Sequence, residues 1–111
     1  MGARRRNRQV TDCWHQLERS LELVVQADQL GTGLAQVTVA LITSNVARAE
    51  HKSRVLVPVS SPEAKPTGLL LDSVVMTDNL ATIHTAEIDR IIGNLSGMEE
   101  VDEALRATLG L

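Results

Sequence analysis

A chain of 111 residues holds one compact domain and is too short for two, so whatever it does must be done from one small core. Its composition, 43% hydrophobic and 23% charged, is that of a folded chain, and a formal net charge of −3 argues against general coating of nucleic acid. One Trp with no Phe or Tyr excludes the aromatic stacking platforms of many single-strand binders, so any grip on RNA must come from Arg, Lys, His and backbone groups.

The lone Cys13 cannot close an intrachain disulfide, and no spacing along the chain suggests a zinc site, so no metal or other cofactor is expected. The apolar runs Leu23 to Val25 and Val37 to Ile42 are far shorter than a membrane span. The basic start Ala3-Arg4-Arg5-Arg6-Asn7-Arg8 is not followed by the apolar stretch of a signal peptide, so a soluble protein of a reducing cytoplasm is expected. Charge is uneven: arginines crowd the start, whereas Glu99, Glu100, Asp102 and Glu103 cluster near the end.

Residues 1–20 read as an atypical, polar segment, disordered or weakly helical, with Trp14, Leu17 and Leu21 at helical spacing over Thr11 to Arg19. The main domain is expected over 21–111. Leu21 to Gln26 is β-branched and apolar, a first strand, and Ala27 to Gly33 reads as its exit loop. Val37 to Thr43 suits a central strand covered on both faces. Arg54 to Val59 is a third strand, which Pro58 puts at an edge or near its own end because proline cannot donate to a ladder. Ser60 to Gly68 is a loop and Leu69 to Met76 a fourth strand, with Thr82-Ile83 adding a short segment. Thr85 is a candidate N-cap for a helical turn through Glu87 and Ile88, and Arg90 to Leu95 is a fifth strand. Ser96 and Glu99 form a capping-box pattern ahead of a C-terminal helix with Met98, Val101, Ala104, Leu105, Thr108 and Leu109 on one face, and Gly110 ends it. Strands without crossover helices exclude a parallel sheet, leaving a mainly β or α+β fold: a curved antiparallel sheet or small barrel carrying one helix.

Several strings in this order resemble the MazF/PemK family of toxin endoribonucleases over roughly four-fifths of the chain: Leu23-Val24-Val25-Gln26-Ala27-Asp28, Ala40-Leu41-Ile42-Thr43-Ser44-Asn45, Asp72 through Thr82, and Val101-Asp102-Glu103-Ala104-Leu105. The resemblance implies an SH3-like barrel that forms a homodimer and serves as the toxin of a type II toxin–antitoxin system. It implies metal-independent cleavage of single-stranded RNA to 2′,3′-cyclic phosphate and 5′-hydroxyl ends. It also implies silencing by a cognate antitoxin, with DNA contacted only indirectly through the antitoxin complex. In such chemistry an Arg fork holds phosphate oxygens while a hydroxyl adds a hydrogen bond where charge develops.

On the matching positions, Thr43 is the expected catalytic hydroxyl, and Ser44, Asn45, Asp78 and Asn79 are expected to bind RNA. The family's catalytic Arg-Pro pair falls on Ser20-Leu21, so Arg19 is the candidate replacement, although one residue of offset turns a strand side chain to the opposite face. The family's first strand has no recognisable counterpart in residues 1–17, a break that an altered reading frame or alternative start would explain. A catalytically inactive relative that dimerises and binds an antitoxin is the alternative reading. His15, His51 and His84 are too scattered along the chain to define an acid–base pair.

Overall fold

Antiparallel pairing organises the chain from Asn7 onward. The computed structural model describes residues 7–26, 33–96 and 99–111. Six strands form one sheet in the order β4-β5-β3-β2-β1-β6. They are β1 (Asn7–His15), β2 (Glu18–Val24), β3 (Gln36–Thr43), β4 (Arg54–Val57), β5 (Ser73–His84) and β6 (Ile88–Ser96), followed by helix α1 (Glu99–Leu109). The fold is therefore the mainly β sheet with a C-terminal helix that the sequence implies.

Residues 7–20 depart most from expectation, and the rest of the expected 1–20 segment, residues 1–6, lies outside the described residues. Thr11 to Arg19 is not helical: β1 runs to His15, turns tightly through Gln16 and Leu17, and pairs in register with β2 from Val10↔Leu23 to His15↔Glu18. On its other side β1 pairs with β6 from Asn7↔Ser96 onward, so a strand that the sequence reading lacked is present and paired on both sides. Register alternation explains why it was hard to read. Val10 packs in the main core with Leu23, Ala40, Ile42 and Val55, while Cys13 is buried on the other face with Val39 and Ile83. Both faces of β1 are covered, and polar Thr11 and Asp12 are buried between these apolar neighbours, which hides the alternation of a half-exposed strand.

The remaining differences are local. Pro58 directly follows β4, which is the edge strand. The fourth strand begins at Ser73, not Leu69, and runs without a break through Thr82-Ile83 to His84. Leu70 and Leu71 instead stay exposed ahead of it, and a short 3-10 turn, Lys65–Thr67, lies inside the preceding loop. The turn after β5 is a 3-10 segment, Thr85–Glu87, capped by His84, not Thr85: the His84 ring accepts a hydrogen bond from Ala86 N–H at 3.1 Å. Most of the Ala27 to Gly33 loop, and Met98 ahead of α1, lie outside the described residues.

The core is aliphatic. Leu23, Val10, Val39, Val57, Val74, Val75 and Val101 are fully buried. Helix α1 contributes Val101 and Ala104 to it and ends at Gly110, whose φ of 70° lets Leu111 N–H close on the Arg106 carbonyl at 3.0 Å. Its first turn is tied to β1 by a 2.6 Å ion pair between buried Arg8 and Asp102.

Candidate active site

The β1–β2 hairpin is longer than its neighbour. β3 pairs with β2 only from Leu21↔Ile42 to Val24↔Val39, so Ser20 stands level with Thr43 at the end of β3 and Glu18 and Arg19 project past it with a free edge. A groove of about 990 Å³ wraps that edge. Its walls bring together Arg19, Ser20, Thr43 and Ser44, with Asp12, His15, Glu22 and Arg90 around them and Leu69, Leu70 and Leu71 on the far side.

Three of the expected site residues thus meet in one place: Arg19, Thr43 and Ser44. Thr43 is the last residue of β3, and its Oγ1 accepts a hydrogen bond from Asn45 N–H at 3.2 Å, which leaves its own proton available to donate. Asn45 is exposed and does not line the groove.

Asp78 and Asn79 do not line it either. Ala40 pairs with Leu80 but Leu41 pairs with Met76, so Thr77, Asp78 and Asn79 form an irregularity that pulls away from β3. Thr77 instead bonds to the Ser53 carbonyl through both its backbone N–H, at 2.9 Å, and its hydroxyl, at 2.6 Å. Asp78 faces Arg54, 3.0 Å away, and that guanidinium holds its carboxyl below the ordinary value of 3.8. The expected acid–amide pair is therefore placed on the β4 side, away from Thr43.

Register settles which face each hairpin residue occupies. Leu21 opposes Ile42, so Ser20, the residue at the expected arginine position, shares a face with Thr43, and Arg19 lies on the opposite one. Arg19 still reaches the groove because the free edge exposes both faces. Its guanidinium is engaged there: it pairs with Asp12 and, at 3.4 Å, with Asp89, and sits 4.3 Å from the centroid of the Trp14 ring. Arg90 approaches the same Asp12 at 3.4 Å. Two arginines thus share one buried carboxylate at the groove wall. Asp12 and Arg90 escaped the sequence reading because nothing in their spacing links them to Arg19.

The other face of the hairpin holds a second cluster. Cys13 and His15 alternate onto one side of β1, and Glu22 stands opposite Thr11 on the same side. His15 Nε2 lies 2.7 Å from Glu22 Oε2, its Nδ1 contacts Glu87, and Ser20 donates its hydroxyl to Glu22 Oε2 at 2.8 Å. Burial opposes a charge on His15, but the two carboxylates outweigh it and raise its pKa above the ordinary 6.5. Burial pushes the Cys13 thiol up to about 11, so without a cation beside it the sulfur is protonated at neutral pH. The donor atoms of Cys13, His15 and Glu22 lie within 4.8 Å of one another, a grouping that folding makes and linear spacing conceals.

A six-stranded antiparallel sheet with one packed helix, and a groove carrying two arginines and strand-end hydroxyls beside acidic side chains, defines a small β protein with one polar groove. The chain belongs to the family of PemK-like, MazF-like toxins of type II toxin–antitoxin systems, whose model matches residues 15–109. It is 36% identical over 92 residues to endoribonuclease MazF2 of Mycobacterium bovis and to endoribonuclease MazF6 of Mycobacterium tuberculosis, covering 80% of this chain and 76% of each relative. Among solved structures it resembles the Mycobacterium tuberculosis toxin MazF-mt6, with a TM-score of 0.74 and 25% identity over 93% of this chain and 97% of that one. A mycobacterial endoribonuclease in complex with its cognate antitoxin has the same fold, with a TM-score of 0.75 and 24% identity over 93% and 92% of the two chains.

Proposed function

We propose that this toxin is an endoribonuclease that cuts single-stranded RNA without a metal and is held inactive by a cognate antitoxin. The observation that carries this reading is the meeting of Arg19, Thr43 and Ser44 in one groove, on a family fold whose named relatives are endoribonucleases. In the reaction the 2′-oxygen of a ribose attacks the adjacent phosphorus and gives up its proton, while the bond from phosphorus to the 5′-oxygen breaks and that oxygen gains a proton. The products are a 2′,3′-cyclic phosphate and a 5′-hydroxyl. Arg19 offers the guanidinium for the non-bridging oxygens as charge builds on them, Thr43 donates its hydroxyl to the same phosphate, and Ser44 holds the neighbouring backbone. The exposed Leu70 and Leu71 offer apolar contact to bases or to an antitoxin segment.

Homodimer formation, cytoplasmic action and contact with DNA only through the antitoxin belong to the same reading. No helix among the described residues is long and apolar enough to cross a membrane.

A second reading has its own support. Ser20 stands on the face of Thr43 where the family likeness expects arginine, and Arg19 is neutralised by Asp12 on the opposite face. Those facts favour a relative that captures antitoxin without cutting RNA. Incubating the purified chain with labelled single-stranded RNA in EDTA separates the two. Cleavage that falls about a hundredfold in Thr43→Ala and in Arg19→Ala supports the enzyme, since removing one donor from a developing oxyanion costs 10²–10³ in rate. Folded protein that leaves the RNA intact but binds antitoxin supports the second reading.

A further inference from the structure

We propose that Cys13, His15 and Glu22 form a binding site for a zinc-class divalent cation on the wall of the groove. Cysteine sulfur, imidazole nitrogen and carboxylate oxygen together suit zinc, and three protein donors leave a fourth tetrahedral position for water or a phosphate oxygen. The three donor atoms already lie within 4.8 Å of one another. Zinc bonds of about 2.0–2.3 Å set tetrahedral donors about 3.3–3.7 Å apart, so a cation would replace the proton between His15 Nε2 and Glu22, which stand 2.7 Å apart, and spread that pair slightly while drawing in the sulfur.

Two further observations point to a cation. Glu22 is only 5% exposed, and among the described residues its Oε1 has no hydrogen-bond partner while Oε2 takes both His15 and Ser20. A buried carboxylate oxygen without a partner is costly, and a cation supplies what it lacks. The orientation of His15 is the second: Nε2 faces Glu22 and Nδ1 is held by Glu87. Once a cation replaces the proton on Nε2, the outer nitrogen already has the carboxylate that orients a coordinated imidazole. On binding, the Cys13 S–H bond breaks, its proton goes to solvent and sulfur coordinates as thiolate. His15 and Glu22 line the groove while Cys13 is fully buried, so a cation would enter from the groove side.

The site is independent of RNA cleavage and is tested without activity. Cobalt added to chelator-treated full-length chain is expected to bind at about one ion per chain with a sulfur-to-cobalt charge-transfer band in the near ultraviolet, displaced by zinc. Cys13→Ser abolishes the band, and Glu87→Gln, which leaves all three donors in place, weakens zinc binding about tenfold. His51→Ala, which removes a histidine whose ring bonds to Ser53 outside the cluster, leaves binding unchanged. Should Cys13→Ser fail to fold, the wild-type spectrum decides. Absence of the sulfur band, or zinc that neither binds stoichiometrically nor raises the wild-type melting temperature, overturns the proposal.

Discussion

Arg19 and Thr43 reach the groove from opposite faces of the sheet, and in the proposed function the carboxylate between the arginines sets how freely they meet a phosphate. Asp12 is buried and holds both Arg19 and Arg90. Under the proposed function, RNA must compete with it. Asp12→Asn keeps the shape and removes the charge, so binding of a non-cleavable RNA should tighten roughly fivefold, the equivalent of about 1 kcal/mol for a partly exposed ion pair. Fluorescence anisotropy measures this, and weaker binding would show that Asp12 serves RNA by orienting the arginines. Asp78 has a different task. Because Arg54 depresses its carboxyl, the pair contributes stability above the ordinary value of 3.8 and loses it as pH falls through the lower folded value. Melting temperatures of the native chain and Asp78→Asn should therefore differ modestly near neutrality and converge in acid below about pH 4. A gap that persists in acid would mean the substitution acts through packing.

Among the elements, the most demanding contact is where β6 passes under the Lys65–Thr67 turn. A Cβ on Gly93 would lie 2.2 Å from the Pro66 carbonyl oxygen and 2.4 Å from the Thr67 carbonyl carbon, so glycine is needed for close approach of two backbones. Gly93→Ala should cost about 3 kcal/mol or more in denaturant unfolding, whereas Gly110→Ala, with open space around it, should cost only about 1 kcal/mol for its left-handed backbone. Equal losses would show that the turn yields readily. The sequence revealed most elements for simple reasons: β3 is an unbroken β-branched run, Pro58 marks the end of edge strand β4, and α1 carries its apolar stripe and terminal glycine. β1 was concealed because its residues are buried on both faces while including Thr11, Asp12 and His15, so no period of two in hydrophobicity survives. The site was legible in part. Thr43 and Ser44 are singled out by the family resemblance together with Thr43's place at a strand end, but the partners of Arg19 and the Cys13–His15–Glu22 cluster arise from strand register, which local spacing does not encode.

For the whole molecule, residues 7–15 belong to the fold. β1 pairs on both sides, and Arg8 at its start grips Asp102 on α1, joining the two ends of the chain. Asp102→Ala would leave buried Arg8 without its partner and should destabilise by about 2 kcal/mol, less than a fully buried pair because Asp102 is 36% exposed. A chain beginning at residue 21 would lose β1 and expose the edge of β2, and should be aggregated or unfolded by circular dichroism. A soluble, cooperatively melting truncation would contradict this.

The central claim, that this groove lets a ribose 2′-hydroxyl attack its own phosphate, is tested most directly with an RNA cut at a mapped site. One ribose at that site is replaced by 2′-deoxyribose, and both substrates are incubated with the chain in EDTA. The account predicts 2′,3′-cyclic phosphate ends from the all-ribose strand and no cut at the substituted position. Cleavage that persists there, leaving a 3′-hydroxyl or simple 3′-phosphate, would mean that water attacks instead and that the proposed chemistry is wrong.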